Sequence, residues 1–120
     1  MITFKDYLVE ADASNEVKEG DIFVAVMVTG GGQYVTMYQV LSVKSGMATV
    51  KRINYKVIRS ERDGGEVVPD KDNFKKNAKE ESYKIKKTSN GPVLSVKDVG
   101  IRIPAYKYSK GETYNFMRAD

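Results

Sequence analysis

Gly20 to Ile53 reads GDIFVAVMVTGGGQYVTMYQVLSVKSGMATVKRI, three β-branched and aromatic runs punctuated only by glycine-rich breaks. No helical period fits it, so the segment predicts three consecutive antiparallel strands: Ile22 to Val28, Tyr34 to Lys44 and Met47 to Ile53. In the first, Ile22, Val24, Val26 and Val28 alternate with Phe23, Ala25 and Met27, so both faces are apolar and the strand is expected to be central. In the second, Val35, Met37, Leu41 and Val43 share a face interrupted by Gln39, and Tyr34, Thr36, Tyr38 and Val40 form the other. Gly30 to Gly32 and Ser45-Gly46 read as hairpin turns, because glycine reaches positive φ without a steric penalty. Past Val50 the apolar phase inverts at Ile53, Tyr55 and Val57. That predicts a bulge near Lys51-Arg52, or a strand leaving one sheet for another.

The remainder continues in short strands. Tyr55 to Glu61 extends the third strand, and Arg62 to Lys79 is the least regular part, with Asp63-Gly64-Gly65 and Pro69 as turn signals. Tyr83 and Ile85 alternate with Lys84 and Lys86, and Asn90-Gly91 turns the chain into Val93, Leu94 and Val96, predicting a hairpin from Lys84 to Lys97. Ile101, Ile103, Tyr106 and Tyr108 follow, with Pro104 arguing against a central ladder position there. Tyr114 and Phe116 are expected to pack back on the core. The chain of 120 residues therefore predicts one all-β, β-dominated domain over 20–120, a small SH3-like antiparallel barrel, preceded by a short N-terminal helix over 1–10 and a polar linker over 11–19.

The chain has no His, Cys or Trp, which removes disulfides, thiol nucleophiles, the usual zinc ligand sets and every triad with an imidazole base. An enzyme would have to use carboxylate, Lys, Tyr or Ser, and no motif gathers them, so no catalytic residue, metal or cofactor is expected. Asp70 and Asp72 have metal-like spacing, but Phe74 and Lys75 stand where a calcium loop needs a polar ligand and a glycine. Gly30 to Gly32 is followed by Gln33 and a strand rather than Gly-Lys-Ser/Thr, so it is not a phosphate loop. No apolar run reaches membrane-spanning length, and a soluble protein is expected.

Charge is unevenly placed. Residues 1–43 carry two lysines against six acids, and residues 44–120 carry 18 basic against 10 acidic side chains. Lys51, Arg52, Lys56, Arg59 and Arg62, with Tyr55 among them, and Lys84, Lys86 and Lys87 further on are candidate nucleic-acid contacts, cations for phosphates with an aromatic ring for a base. A solvated strand face, with lysines guarding a sheet edge, accounts for the same pattern.

The amino terminus differs in character. Phe4, Tyr7, Leu8 and Ala11 fall on one helical stripe, with Thr3 as N-cap and Asp6 in a near capping box. Such a short helix needs a partner surface. Met-x-Thr-Phe-Lys-Asp-Tyr-Leu-Val-Glu-Ala resembles the capsid-targeting leader of internal head proteins of T-even-type tailed phages. The resemblance implies packaging through the prohead scaffold, cleavage by the phage maturation protease after the Leu8-Val9-Glu10 motif at Glu10-Ala11, a virion interior location, and delivery with the DNA into the host cytoplasm. There such proteins counter host defence proteins or coat DNA. The match covers about a tenth of the chain, and a helix docked permanently on its own barrel is the alternative. The body, Gly20 to about Phe116, is similar to a loose group of small uncharacterised phage proteins in Gly20-Asp21-Ile22-Phe23, Tyr38-Gln39-Val40, Val68-Pro69 with Asp72 and Phe74, and Lys110-Gly111 with Thr113-Tyr114. Members usually carry Trp in the first hairpin and near the end, and this chain does not. The alternative function is a noncleaved SH3-like interaction or nucleic-acid-binding module of infected cytoplasm.

Overall fold

The computed structural model describes residues 17–30, 32–89, 91–98 and 100–117. Phe4, Tyr7, Leu8, Glu10 and Ala11 of the expected leader, and Gly31 and Asn90 of the expected turns, lie outside them. The described residues form eight strands and no helix: β1 (Ile22–Thr29), β2 (Gly32–Lys44), β3 (Met47–Glu61), β4 (Gly64–Phe74), β5 (Glu81–Thr88), β6 (Gly91–Asp98), β7 (Ile101–Lys107) and β8 (Tyr114–Met117). No described helix is long and apolar enough to cross a membrane.

All strand pairs are antiparallel, and the ladder closes in the order β1-β2-β8-β4-β3-β5-β6-β7. A direct β2 to β3 pairing divides this circuit into a ring of β1, β2, β3, β5, β6 and β7, and a smaller one of β2, β3, β4 and β8. Strand alternation then fills two cores. Phe23, Ala25, Tyr38, Val40, Ala48, Val50, Tyr83, Leu94, Val96 and Ala105 form the first, together with Val17. Ile22, Val24, Val35, Met37, Ile53 and Val67 form the second, with Tyr55, Phe74, Tyr108, Tyr114 and Phe116 packed against it. The first half of β1 is therefore buried on both faces, because each face serves a different core.

The distal half of β1 departs from expectation. Val26 and Val28 are exposed, since β7 pairs with β1 only from Lys107 to Ala105. The next β7 residue is Pro104, which has no N–H to continue the ladder. Val43 also changes sides. The register of β2 shifts between Val40 and Ser42, and this bulge at Leu41 turns Val43 onto the first core instead of leaving it with Val35 and Met37.

The phase inversion in β3 marks a change of partner. Met47 to Val50 pair with β5, and Ile53 to Glu61 pair with β4, so the strand passes from one ring to the other at Lys51-Arg52. The stretch read as irregular contains β4. Its alternation is disguised because Tyr55 faces Pro69 whereas Ile53 faces Phe74, which leaves Asp70 to Asn73 looped out of the ladder. Gln39, buried within β2, holds that loop: its amide nitrogen donates to Asp72 Oδ1 at 2.8 Å, and its carbonyl accepts the Asp72 N–H at 2.7 Å. Ser45 and Gly46 both have positive φ, 52° and 77°, the geometry of a hairpin turn whose twist matches its strands. Within the polar run 11–19, Val17 is buried and packs into the first core, so its last residues are not free linker.

Candidate nucleic-acid interface

The fold places the candidate cations in three environments. Arg52, at the ring crossover, is committed internally. Its Nε lies 3.0 Å from Glu81 Oε2 and its Nη2 lies 3.3 Å from Oε1, while Nη1 donates to Asp98 Oδ1 at 3.0 Å. Nη2 also reaches the Lys97 carbonyl at 3.2 Å, and the guanidinium sits 5.3 Å from the Tyr38 ring centroid. The Tyr83 hydroxyl donates to Glu81 Oε1, and Thr36 donates to Asp98 Oδ2 at 3.3 Å. The Glu81 bonds, and after them the one to Asp98, hold the guanidinium even more firmly protonated than usual, against partial burial. The guanidinium thus ties β3 to β5 and β6 through two carboxylates and to β2 through the Tyr38 ring.

The other β3 cations have local partners. Lys51 Nζ lies 5.4 Å from the Phe74 ring centroid, Lys56 lies 3.6 Å from Asp70, and Arg59 pairs with Glu61 and, at 2.9 Å, with Glu66. Exposed pairs such as Lys56 with Asp70 are weak, yet each carboxylate reduces the positive field along this strand. Arg62 stands in the turn between β3 and β4, exposed.

The cations of β5 are different. Ile85, Leu94 and Ala105 are cross-strand neighbours pointing into the first core or against it. Alternation consequently puts Lys86, Val93 and Tyr106, also a cross-strand row, on the outer face, with Lys84 two residues along β5 on the same side. Lys97 faces Arg102 in a further outer row. Lys87, opposite Pro92, is exposed at the end of β5. Among the described residues no carboxylate pairs with Lys84, Lys86, Lys87, Lys97 or Arg102, although Arg102 Nη1 donates to the Ser95 carbonyl at 3.1 Å. The nearby acids Glu81 and Asp98 are taken up by Arg52.

This three-strand face unites Lys84 and Lys86, leaves Lys87 at the strand end in the opposite phase, and does not include Lys51, Arg52, Lys56, Arg59 or Arg62. Sequence reasoning missed Lys97, Arg102 and Tyr106. Their signal was present in phase: each alternates with a core or inward residue, Val96, Ile103 or Ala105. What the sequence lacked was the strand order that sets β7 beside β6 and β5.

A second concave feature lies where β2 and β3 diverge beyond the Met37 to Ile53 pair. It is a cleft of about 530 Å³, lined by Tyr34, Val35, Thr36, Tyr55, Val57, Lys75 and Phe116 among others. Tyr55 stacks on Phe116 at 6.2 Å, which fills its floor. Asp70 and Asp72 do not converge: the first meets Lys56 and Asn73, the second Gln39. Among the described residues no three His, Cys, Asp or Glu side chains gather as a metal would require. No family model, no curated protein and no solved structure matches the chain.

Proposed function

We propose that this chain is a non-enzymatic DNA-associated protein of a phage head, carried in through its leader, trimmed between Glu10 and Ala11, and delivered with the genome into the host cytoplasm, where it coats DNA or counters a host defence protein. The observation that carries the DNA-associated part is the cation set without carboxylate partners on the outer face of β5, β6 and β7, in contrast to the carboxylate-paired Arg52, Lys56 and Arg59 of β3. Phosphate neutralisation by such a set releases counterions and needs no base contact, which suits a protein that shares a compartment with a whole genome. The leader resemblance carries the packaging part. The six-strand ring is read as SH3-like.

Filter binding to DNA over a salt series tests the cationic face. Affinity is expected to fall steeply with salt, and the Lys84→Ala, Lys86→Ala double variant is expected to lower the slope of log K against log salt. Absence of binding at low salt, or a slope the double variant leaves unchanged, overturns it.

One observation favours the alternative, a noncleaved interaction or nucleic-acid-binding module with a permanent N-terminal helix. Val17, within the polar run 11–19, is buried in the first core rather than lying in a free linker. Deleting residues 1–10 separates the two. A negligible loss of stability supports the removable leader, and a large loss supports the integral helix.

A further inference from the structure

We infer that the nucleic acid held on the outer face of β5, β6 and β7 is single-stranded, with Tyr106 stacking on one of its bases. This rests on the cationic-face reading above. The lysines alone do not choose between duplex and single strand, because both offer phosphates. Tyr106 supplies the choice. It lies in the row Lys86, Val93, Tyr106, and it is 52% exposed, whereas Val93 beside it is 6% exposed and gives the row an apolar floor. Pro104, on the same side of β7, is also exposed.

The other described tyrosines are occupied or displaced. Tyr38 packs edge-on to Tyr83, Tyr55 stacks on Phe116, and Tyr108 lies against Tyr114. Tyr34 is half exposed, but it lines the cleft between β2 and β3, where Lys75 is the one lining cation. Among the described residues, Tyr106 therefore combines an uncommitted ring with flanking unpaired cations: Lys84 and Lys86 to one side, Arg102 and Lys97 along the strands. A duplex buries its base faces in its own stack and presents a sheet with phosphates and sugars. A single strand can lay a base on an outward ring while its phosphates run over the lysines, an arrangement suited to an open sheet face.

The test is fluorescence anisotropy with a short oligothymidine strand and with a duplex of equal length, using the full chain. Wild type is expected to bind the single strand more tightly than the duplex. Tyr106→Ala is expected to weaken single-strand binding about tenfold, leaving duplex binding and the salt slope unchanged, and Tyr106→Phe is expected to retain affinity because the ring suffices. Equal weakening of both ligands by Tyr106→Ala, or no weakening of either, overturns the stacking inference. If the Lys84→Ala, Lys86→Ala variant still lowers the salt slope in that case, the cationic face itself stands. If neither oligonucleotide binds at low salt, both readings fall.

Discussion

Arg52 and Glu81 meet as a two-pronged pair, Nε to Oε2 at 3.0 Å and Nη2 to Oε1 at 3.3 Å, at the point where β3 exchanges β5 for β4 as its partner. The pair is less than a third exposed, and Asp98 completes it from β6. Arg52→Ala leaves two carboxylates facing each other without a counter-charge. It is expected to cost about 2–3 kcal/mol in urea unfolding, the range for charged hydrogen bonds partly removed from water. Arg52→Lys is expected to recover less than half of that, because an ammonium cannot reproduce the planar fork. Its effect on DNA affinity is expected to be small beside that of the β5 lysines.

Tyr38 gives the opposite sign. Its ring is fully buried, yet its hydroxyl has no hydrogen-bond partner among the described residues. Burial pushes its phenol well above the ordinary range, with the Arg52 charge opposing. A buried donor without a partner retains its desolvation cost, so Tyr38→Phe is expected to leave stability unchanged or to raise it by up to about 1 kcal/mol. Thermal unfolding of the variant checks this, and a clear loss would show that the hydroxyl is bonded.

Gly65 is constrained by a neighbour rather than by its own φ. A Cβ there would stand 2.1 Å from the Arg59 carbonyl oxygen and 3.0 Å from the Phe116 ring. The oxygen belongs to the paired backbone of β3 and has little room to move. Gly65→Ala is expected to destabilise by roughly 1–3 kcal/mol, read by denaturant unfolding. Loss of protection of the β4 and β8 amides in hydrogen exchange should accompany it.

Tyr114 supplies a pH dependence. Burial, aided by Glu112 and Tyr108, pushes its phenol from the ordinary 10.0 up to about 12. Between those values the unfolded chain has released the proton and the native chain still holds it, so stability falls as pH rises through that window and is fully present below pH 10. Tyr114→Phe is expected to lessen this alkaline decline, with the part due to the raised phenols of Tyr38 and Tyr83 remaining, without changing the slope near neutrality. Unfolding curves at pH 8 and pH 11 measure the difference.

The strands of 20–53 were legible because β-branched residues and glycine turns act locally. Ser45-Gly46 announces its hairpin, and Phe23 and Val24 announce opposite buried faces. β4 was not legible, since the looped-out Asp70 to Asn73 breaks its period and the residue that rescues the loop, Gln39, is 33 positions away. The same limit explains the site. Arg52 and Lys84 look alike as basic residues in strands. Only tertiary pairing brings Glu81 and Asp98 to the first and leaves the second without a carboxylate.

The most direct test of the proposed role is mass spectrometry of the mature amino terminus in virions purified from a phage that carries the coding sequence. The proposal predicts a packaged protein that begins at Ala11. A protein in the particle that begins at Met1, or none in the particle at all, would contradict it.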